Sequence, residues 1–225
     1  MVGFGNKAVV AGSEGVSHFA RLILAFTAGY CDTLTFLHMG GVFCAHVTGN
    51  FVLFAASLAR GLRSEDYLKI ATFPVFVLGV VVATVLVHRA KRRGGSWLKM
   101  LLWLVTALMM LAGVGSFSGS FEIDVAVTLL LVFALGMQNT LHHFAPGPMT
   151  TVMTGTVMNT TAGLTEKYLI RKYDDCSPPA VGPGIGMGAF FLVGCTLGAL
   201  GAVTIGFKCL LLPALLMVAL ALKTR

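Results

Sequence analysis

Eight apolar stretches alternate with short polar or glycine-rich breaks, at roughly 19–38, 43–59, 67–88, 97–116, 122–142, 149–164, 184–206 and 208–222. Several reach the ~17–25 residues with which a helix crosses a bilayer. None shows the ten-residue alternation of a porin-like strand. The pieces 43–59 and 149–164 are the shortest interior ones and carry most of the polar residues. Gly40-Gly41 introduces the first and Pro146-Gly147-Pro148 the second, breakers that end a helix and permit a sharp turn. Within them Thr48-Gly49-Asn50 and Thr154-Gly155-Thr156 place polar groups at membrane depth, where such groups are costly. This duplicated polar break is the strongest pointer to where the chain acts.

The two halves resemble each other. Phe26, Gly29, Thr33, Leu34 and Gly40 align without gaps on Phe133, Gly136, Thr140, Leu141 and Gly147, and Asp32 falls on Asn139. After a one-residue gap, Thr48, Gly49, Ala56 and Leu58 align on Thr154, Gly155, Ala162 and Leu164. The shared order of helix, breaker and Thr-Gly block predicts an internal repeat. The expected organisation is a flexible tail over 1–18, a first membrane repeat over 19–116 and a second over 117–225, in one integrated membrane domain.

Composition supports the same class. The chain is 56% hydrophobic and 11% charged, against about 25% charge in soluble domains. The net charge of +7 is no nucleic-acid signal, because Lys and Arg collect between the apolar runs, as Arg89, Lys91, Arg92, Arg93 and Lys99 do. Residues 1–18 lack the pattern of a signal peptide.

Charge also discriminates between topologies. Eight full spans would split the basic residues ten against six, with the Arg89–Lys99 cluster on the poorer side. If both Thr-Gly pieces dip in and return, Lys7, Arg21, Arg89, Lys91, Arg92, Arg93, Lys99, Lys167, Arg171, Lys172, Lys223 and Arg225 share the cytoplasmic side. Only Arg60, Arg63, Lys69 and Lys208 then remain outside, as the positive-inside rule prefers. The predicted fold is an all-α polytopic membrane protein of two inverted repeats, each with three transmembrane helices and one short re-entrant or broken helix. Both termini are cytoplasmic in this scheme.

Gly29-Tyr30-Cys31-Asp32, Gly40-Gly41-Val42-Phe43 and His46-Val47-Thr48-Gly49-Asn50 together resemble the YoaK-like family of small bacterial multi-span membrane proteins. Gly136-Met137-Gln138-Asn139 and Thr150 to Thr156 resemble that family's second half. The resemblance implies a bacterial inner-membrane protein of about six spans and assigns no activity. His142-His143 beside the second breaker departs from the family pattern.

Asp32 is the carboxylate set deepest in the apolar runs of the first half. An ionised aspartate at a helix centre costs about 2.5–3.5 kcal/mol on insertion scales. It reads either as a coupling or solute-binding carboxylate or as a paired side chain capping the broken piece. Its counterpart Asn139 cannot ionise. His46, Asn50 and Ser57 share one helical face, and Thr150, Thr154 and Thr161 repeat that spacing. Gln138, Thr151, Thr156 and Asn159 add polarity nearby. The stripes either line a path or hydrogen-bond helices together. Asn50 has four amide hydrogen-bonding sites, which calls for water or a solute. His46 can titrate near neutrality, although packing is the commoner role of a membrane histidine, and His142-His143 suits a structural or mouth-lining one.

The histidines lack metal-ligand spacing, and no cofactor is expected. Cys31, Cys44, Cys176, Cys195 and Cys209 show neither metal nor disulfide spacing and are expected as free thiols. Gly184, Gly188, Gly194 and Gly198 form small-xxx-small patterns suited to helix packing or a homo-oligomer contact. No nucleotide loop, H-E-x-x-H or G-x-S-x-G motif is present. Ser57 and His46 would lie about 16 Å apart along a helix, too far for direct proton transfer.

The expectation is therefore a transporter or channel that passes a small polar solute or ion between the two Thr-Gly pieces, not an enzyme. Asp32, His46, Thr48, Gly49, Asn50, Gln138, Asn139, Thr151, Thr154, Gly155 and Asn159 are its candidate site. A non-transporting scaffold or regulatory partner is the rival, and an intramembrane enzyme comes last. Single cysteines at Ser64 and Tyr168 in a cysteine-free background separate the topologies. An impermeant maleimide reaches them from opposite faces if the Thr-Gly pieces turn back, and from one face if all eight pieces span.

Overall fold

The computed structural model describes residues 15–145, 147, 150, 151, 153–166, 168 and 182–224. Lys7, Pro146, Pro148, Lys167, Arg171, Lys172, Cys176 and Arg225 lie outside the described residues. Among those described, regular structure is entirely helical: α1 (His18–His38), α2 (Val47–Arg60), α3 (Tyr67–Arg92), α4 (Trp97–Gly115), α5 (Phe121–Asn139), α6 (Leu141–Phe144), α7 (Met153–Thr165), α8 (Gly182–Thr204) and α9 (Leu211–Lys223). One-turn 3-10 segments precede α3 and α9.

The helix ends follow local chemistry. Ser17 caps α1 by accepting a hydrogen bond from the Ala20 amide at 3.1 Å. The tail expected through His18 therefore gives way to helix at that residue. Ser96 caps α4 in the same way through the Lys99 amide. Gly40 and Gly41, at φ 66° and 89°, make the left-handed turn that ends α1, a conformation that disfavours a Cβ.

Five segments are long and apolar enough to cross a membrane: Ser64–Arg92, Trp97–Gly115, Phe121–Phe144, Gly184–Thr204 and Gly206–Lys223. With 21 residues α1 matches them in length, while Arg21 and Asp32 make it less apolar. It is also buried nearly all round, with Leu24, Ala25, Thr27, Ala28, Tyr30 and Cys31 at 2% exposure or less. Such a helix belongs inside a bundle. By contrast α2 has 14 residues and α7 has 13. At 1.5 Å per residue they are about 20 Å long, short of the ~30 Å hydrocarbon layer.

The most extensive helix contacts join α1 to α8 and α3 to α5. All four helices carry one pattern at their crossing: Phe26-x-x-Gly29, Phe76-x-x-Gly79, Phe133-x-x-Gly136 and Phe191-x-x-Gly194. Each glycine faces the partner's phenylalanine carbonyl. A Cβ on Gly29 would sit 2.4 Å from the Phe191 oxygen, and one on Gly194 would sit 2.2 Å from the Phe26 oxygen. The same holds for Gly79 against Phe133 (2.4 Å) and Gly136 against Phe76 (2.6 Å). Only glycine lets these backbones meet so closely.

Of the two roles expected for the α8 glycines, helix packing is the one seen within the chain. Gly194 and Gly198 press on α1 and Gly184 presses on Thr160 of α7, so the bundle itself occupies that face; Gly188 alone meets nothing within 4 Å.

Two further ties fasten α1 to the α5–α6 strand of chain, which runs antiparallel to it. His38 Nε2 meets Asp124 Oδ2 at 2.8 Å at one end, and Arg21 donates to the Ala145 carbonyl at 3.0 Å at the other. Gly29→Ala and Gly136→Ala should each lower stability by about 1–3 kcal/mol through overpacking. Gly188→Ala should leave the melting temperature in detergent unchanged. Equal melting of all three variants would remove the glycine crossings from this account.

Candidate functional site

Both polar breaks begin where a helix ends and the chain turns back alongside it. After Gly41 the backbone is non-helical until α2 starts at Val47. Its buried amides need partners. Asp32, 3% exposed, accepts hydrogen bonds through Oδ1 from the amides of Cys44 at 2.9 Å and Ala45 at 2.6 Å. Its Oδ2 forms a short hydrogen bond with His46 Nδ1. Asp32 lies six residues before the end of α1, about 9 Å along the helix. The loop at Cys44–His46 is held at that depth. The far end of α2 returns to the end of α1, for Phe36, Gly40 and Gly41 line one cleft with Arg60, Gly61 and Arg63.

Asn50 completes the first break. Its Nδ2 donates to the Phe43 carbonyl at 2.7 Å and to Thr72 Oγ1 at 2.9 Å, while Oδ1 accepts from the Phe43 amide at 2.9 Å. The expected need for water or solute is not met by the geometry. The buried amide is satisfied by the loop it closes and by α3. Ser57, on the same face, donates to Asp66 Oδ1 at 2.7 Å, beside the buried Lys69–Asp66 ion pair. This stripe holds α2 against α3.

The second break uses different groups for the same work. Asn139 Oδ1 accepts from Thr151 Oγ1 at 2.6 Å, matching the place of Asp32. His142 Nε2 accepts from the Thr150 amide at 2.8 Å, so His142 is a structural anchor. Gln138 is fully buried and donates to the Leu24 carbonyl of α1 at 3.2 Å.

Thr48, Thr154 and Asn159 are exposed, and Gly49 and Gly155 are half-buried. α2 packs on α3, and α7 on α8. The two Thr-Gly pieces are thus carried by different helices, and neither is the other's main support. Asp32, His46 and Asn50 are brought together at the first break; Thr154, Gly155 and Asn159 are carried on α7.

His46 is the titratable side chain that meets both the buried carboxylate and open space, with 35% of its side chain exposed. Its ring stands edge-on to Phe43 and to Phe191 of α8, at centroid distances of 6.3 and 5.7 Å. It lies in the loop between helices. With Asp32 it can hold or pass a proton at Nδ1.

Sequence reading missed Thr72, Phe191 and the Phe-x-x-Gly repeat in α3 and α8. The repeat could have been found by extending the alignment of the halves to Phe76 and Phe191. Among the described residues no three His, Cys, Asp or Glu side chains gather as a metal-ligand set, and Cys31, Cys44, Cys195 and Cys209 are free thiols.

Long apolar helices, a helix buried on every side and side chains that satisfy broken backbone define a multi-pass helical membrane protein. Residues 20–223 match the family described as "Protein of unknown function (DUF1275)", and the chain belongs to that family. It is 26% identical over 153 residues to the UPF0700 transmembrane protein YoaK of Bacillus subtilis (strain 168), covering 67% of this chain and 68% of that protein. The YoaK-like resemblance read from the motifs is thereby established. No solved structure matches the chain.

Nitrogen-15 NMR should show the His46 Nδ1 resonance moving in Asp32→Asn, because an amide group replaces the carboxylate oxygen that meets it. An unchanged resonance would sever the link between the two side chains.

Proposed function

We propose that the chain is a small-solute or ion transporter or channel made of two inverted repeats, with its polar site at the Asp32–His46 break. The reciprocity of the helix crossings carries this reading. Exchanging α1, α2, α3 and α4 for α5, α7, α8 and α9 turns the α1–α8 contact into α5–α3 and the α2–α3 contact into α7–α8. The glycine contacts obey the same exchange, Gly29 on Phe191 becoming Gly136 on Phe76. Three spans and one returning piece per half invert the second half relative to the first, a plan common among secondary transporters.

The path of the first break supports a re-entrant segment. The chain descends to Asp32, turns at Cys44–His46 and climbs back through α2 to the level where α1 ended. Asp32 and His46 supply charge and a mobile proton. Thr48 offers an exposed hydroxyl in the first turn of α2, and Thr154 and Asn159 offer the counterparts in the other half. Asn50, Asn139, Thr151 and Gln138 hold backbone and neighbouring helices in place. With little charge at depth, a neutral or singly charged solute fits better than a polyanion. In this scheme the protein sits in a bacterial inner membrane with both termini cytoplasmic, and the site requires no enzyme chemistry.

The rival scaffold reading draws on Asn50, whose amide is committed to protein partners. Flux into proteoliposomes across a panel of small neutral and singly charged solutes separates the two. A transported solute should show flux reduced at least about ten-fold by Asp32→Asn, an isosteric change that retains the Oδ1 acceptor, with melting temperature preserved. Absence of flux for every solute, in well-folded protein, would favour the scaffold.

A further inference from the structure

A cleft lies away from the Asp32 break, on the face of the bundle where the start of α1 meets the end of α9. It occupies about 630 Å³ between the start of α1, the start of α4 and the end of α9. Its walls are apolar, from Val16, Phe19, Leu98, Leu102 and Leu220. Its basic groups are Lys99 and Lys223, and among the described residues none that lines it is acidic. Lys223 Nζ sits 4.5 Å from the centroid of the Phe19 ring, which places one ammonium directly over the apolar wall. Neither lysine forms an ion pair among the described residues. The hydroxyls of Ser17 and Ser96, both helix caps, complete the rim.

The surroundings reinforce the charge. The neighbouring cleft is lined by Arg89 and Arg93 and shares Ser96 with this one. A soluble anion would gain from the two lysines and nothing from the hydrocarbon walls. A detergent-like neutral molecule would gain from the walls and leave two cations uncompensated. A molecule with an anionic phosphate head and an acyl chain satisfies both, and basic pockets between helices at a membrane surface are suited to such headgroups.

We infer that this cleft binds an anionic phospholipid, with the phosphate between Lys99 and Lys223 and an acyl chain along Phe19, Leu102 and Leu220. The site is independent of the transport reading, because it touches neither polar break.

The test titrates the full chain in detergent with phosphatidylglycerol, phosphatidylcholine or glycerol phosphate and reads the retained ligand by native mass spectrometry. Phosphatidylglycerol should be retained at least about ten-fold better than phosphatidylcholine, and glycerol phosphate should not be retained. The pair Lys99→Ala and Lys223→Ala should weaken phosphatidylglycerol on the order of thirty-fold. The pair Arg60→Ala and Arg63→Ala removes equal charge from the cleft at the other end of α1 and should change it less than about three-fold. Equal losses in the two pairs would show general surface attraction and overturn the cleft site. Equal retention of the two lipids would overturn it as well, and retention of glycerol phosphate would make it a site for a free anion.

Discussion

Backbone that leaves its helix inside a packed bundle must find its hydrogen bonds within the protein, and the side chains at both breaks meet that requirement. In the first half a carboxylate takes the Cys44 and Ala45 amides and an asparagine closes on both backbone groups of Phe43. In the second, a histidine takes the Thr150 amide and an asparagine holds the Thr151 hydroxyl. The polar residues in the apolar pieces are thus first of all the means by which a broken chain is tolerated. Any function of Asp32 is added to that role, since the same carboxylate also carries His46.

The second determinant is steric. Four Phe-x-x-Gly turns let α1 meet α8 and α3 meet α5 at backbone distance. Asp32 and Asn139 each lie three residues beyond the glycine of their own helix. The breaks are therefore anchored next to the tightest points of the bundle. A shift at either crossing would be felt at the adjoining break, because packed interfaces move between discrete arrangements more readily than they deform. The two halves share this geometry but differ in charge: Asp32 with His46 can ionise, and Asn139 with Thr151 cannot. In the proposed carrier, protonation acts on one half of an otherwise matched pair.

The apolar pieces were readable along the chain because hydropathy is a local property, and a helix in lipid satisfies its own backbone. The short breaks, the buried Asp32 and the likeness of the two halves were visible for the same reason: each is a run of residues whose cost depends on the surrounding solvent. Residue type and spacing could not supply the partner. Nothing local tells that Asn50 closes on Phe43 and Thr72, that Phe191 stands beside His46, or that Gly194 and Gly198 face α1 instead of another molecule. These depend on which helices cross and at what rotation, and that is decided by the simultaneous fit of all surfaces. Local residue chemistry sets the class, the helices and the places where they break; what each polar group and each glycine touches is settled only on folding, because those contacts join segments far apart in the chain.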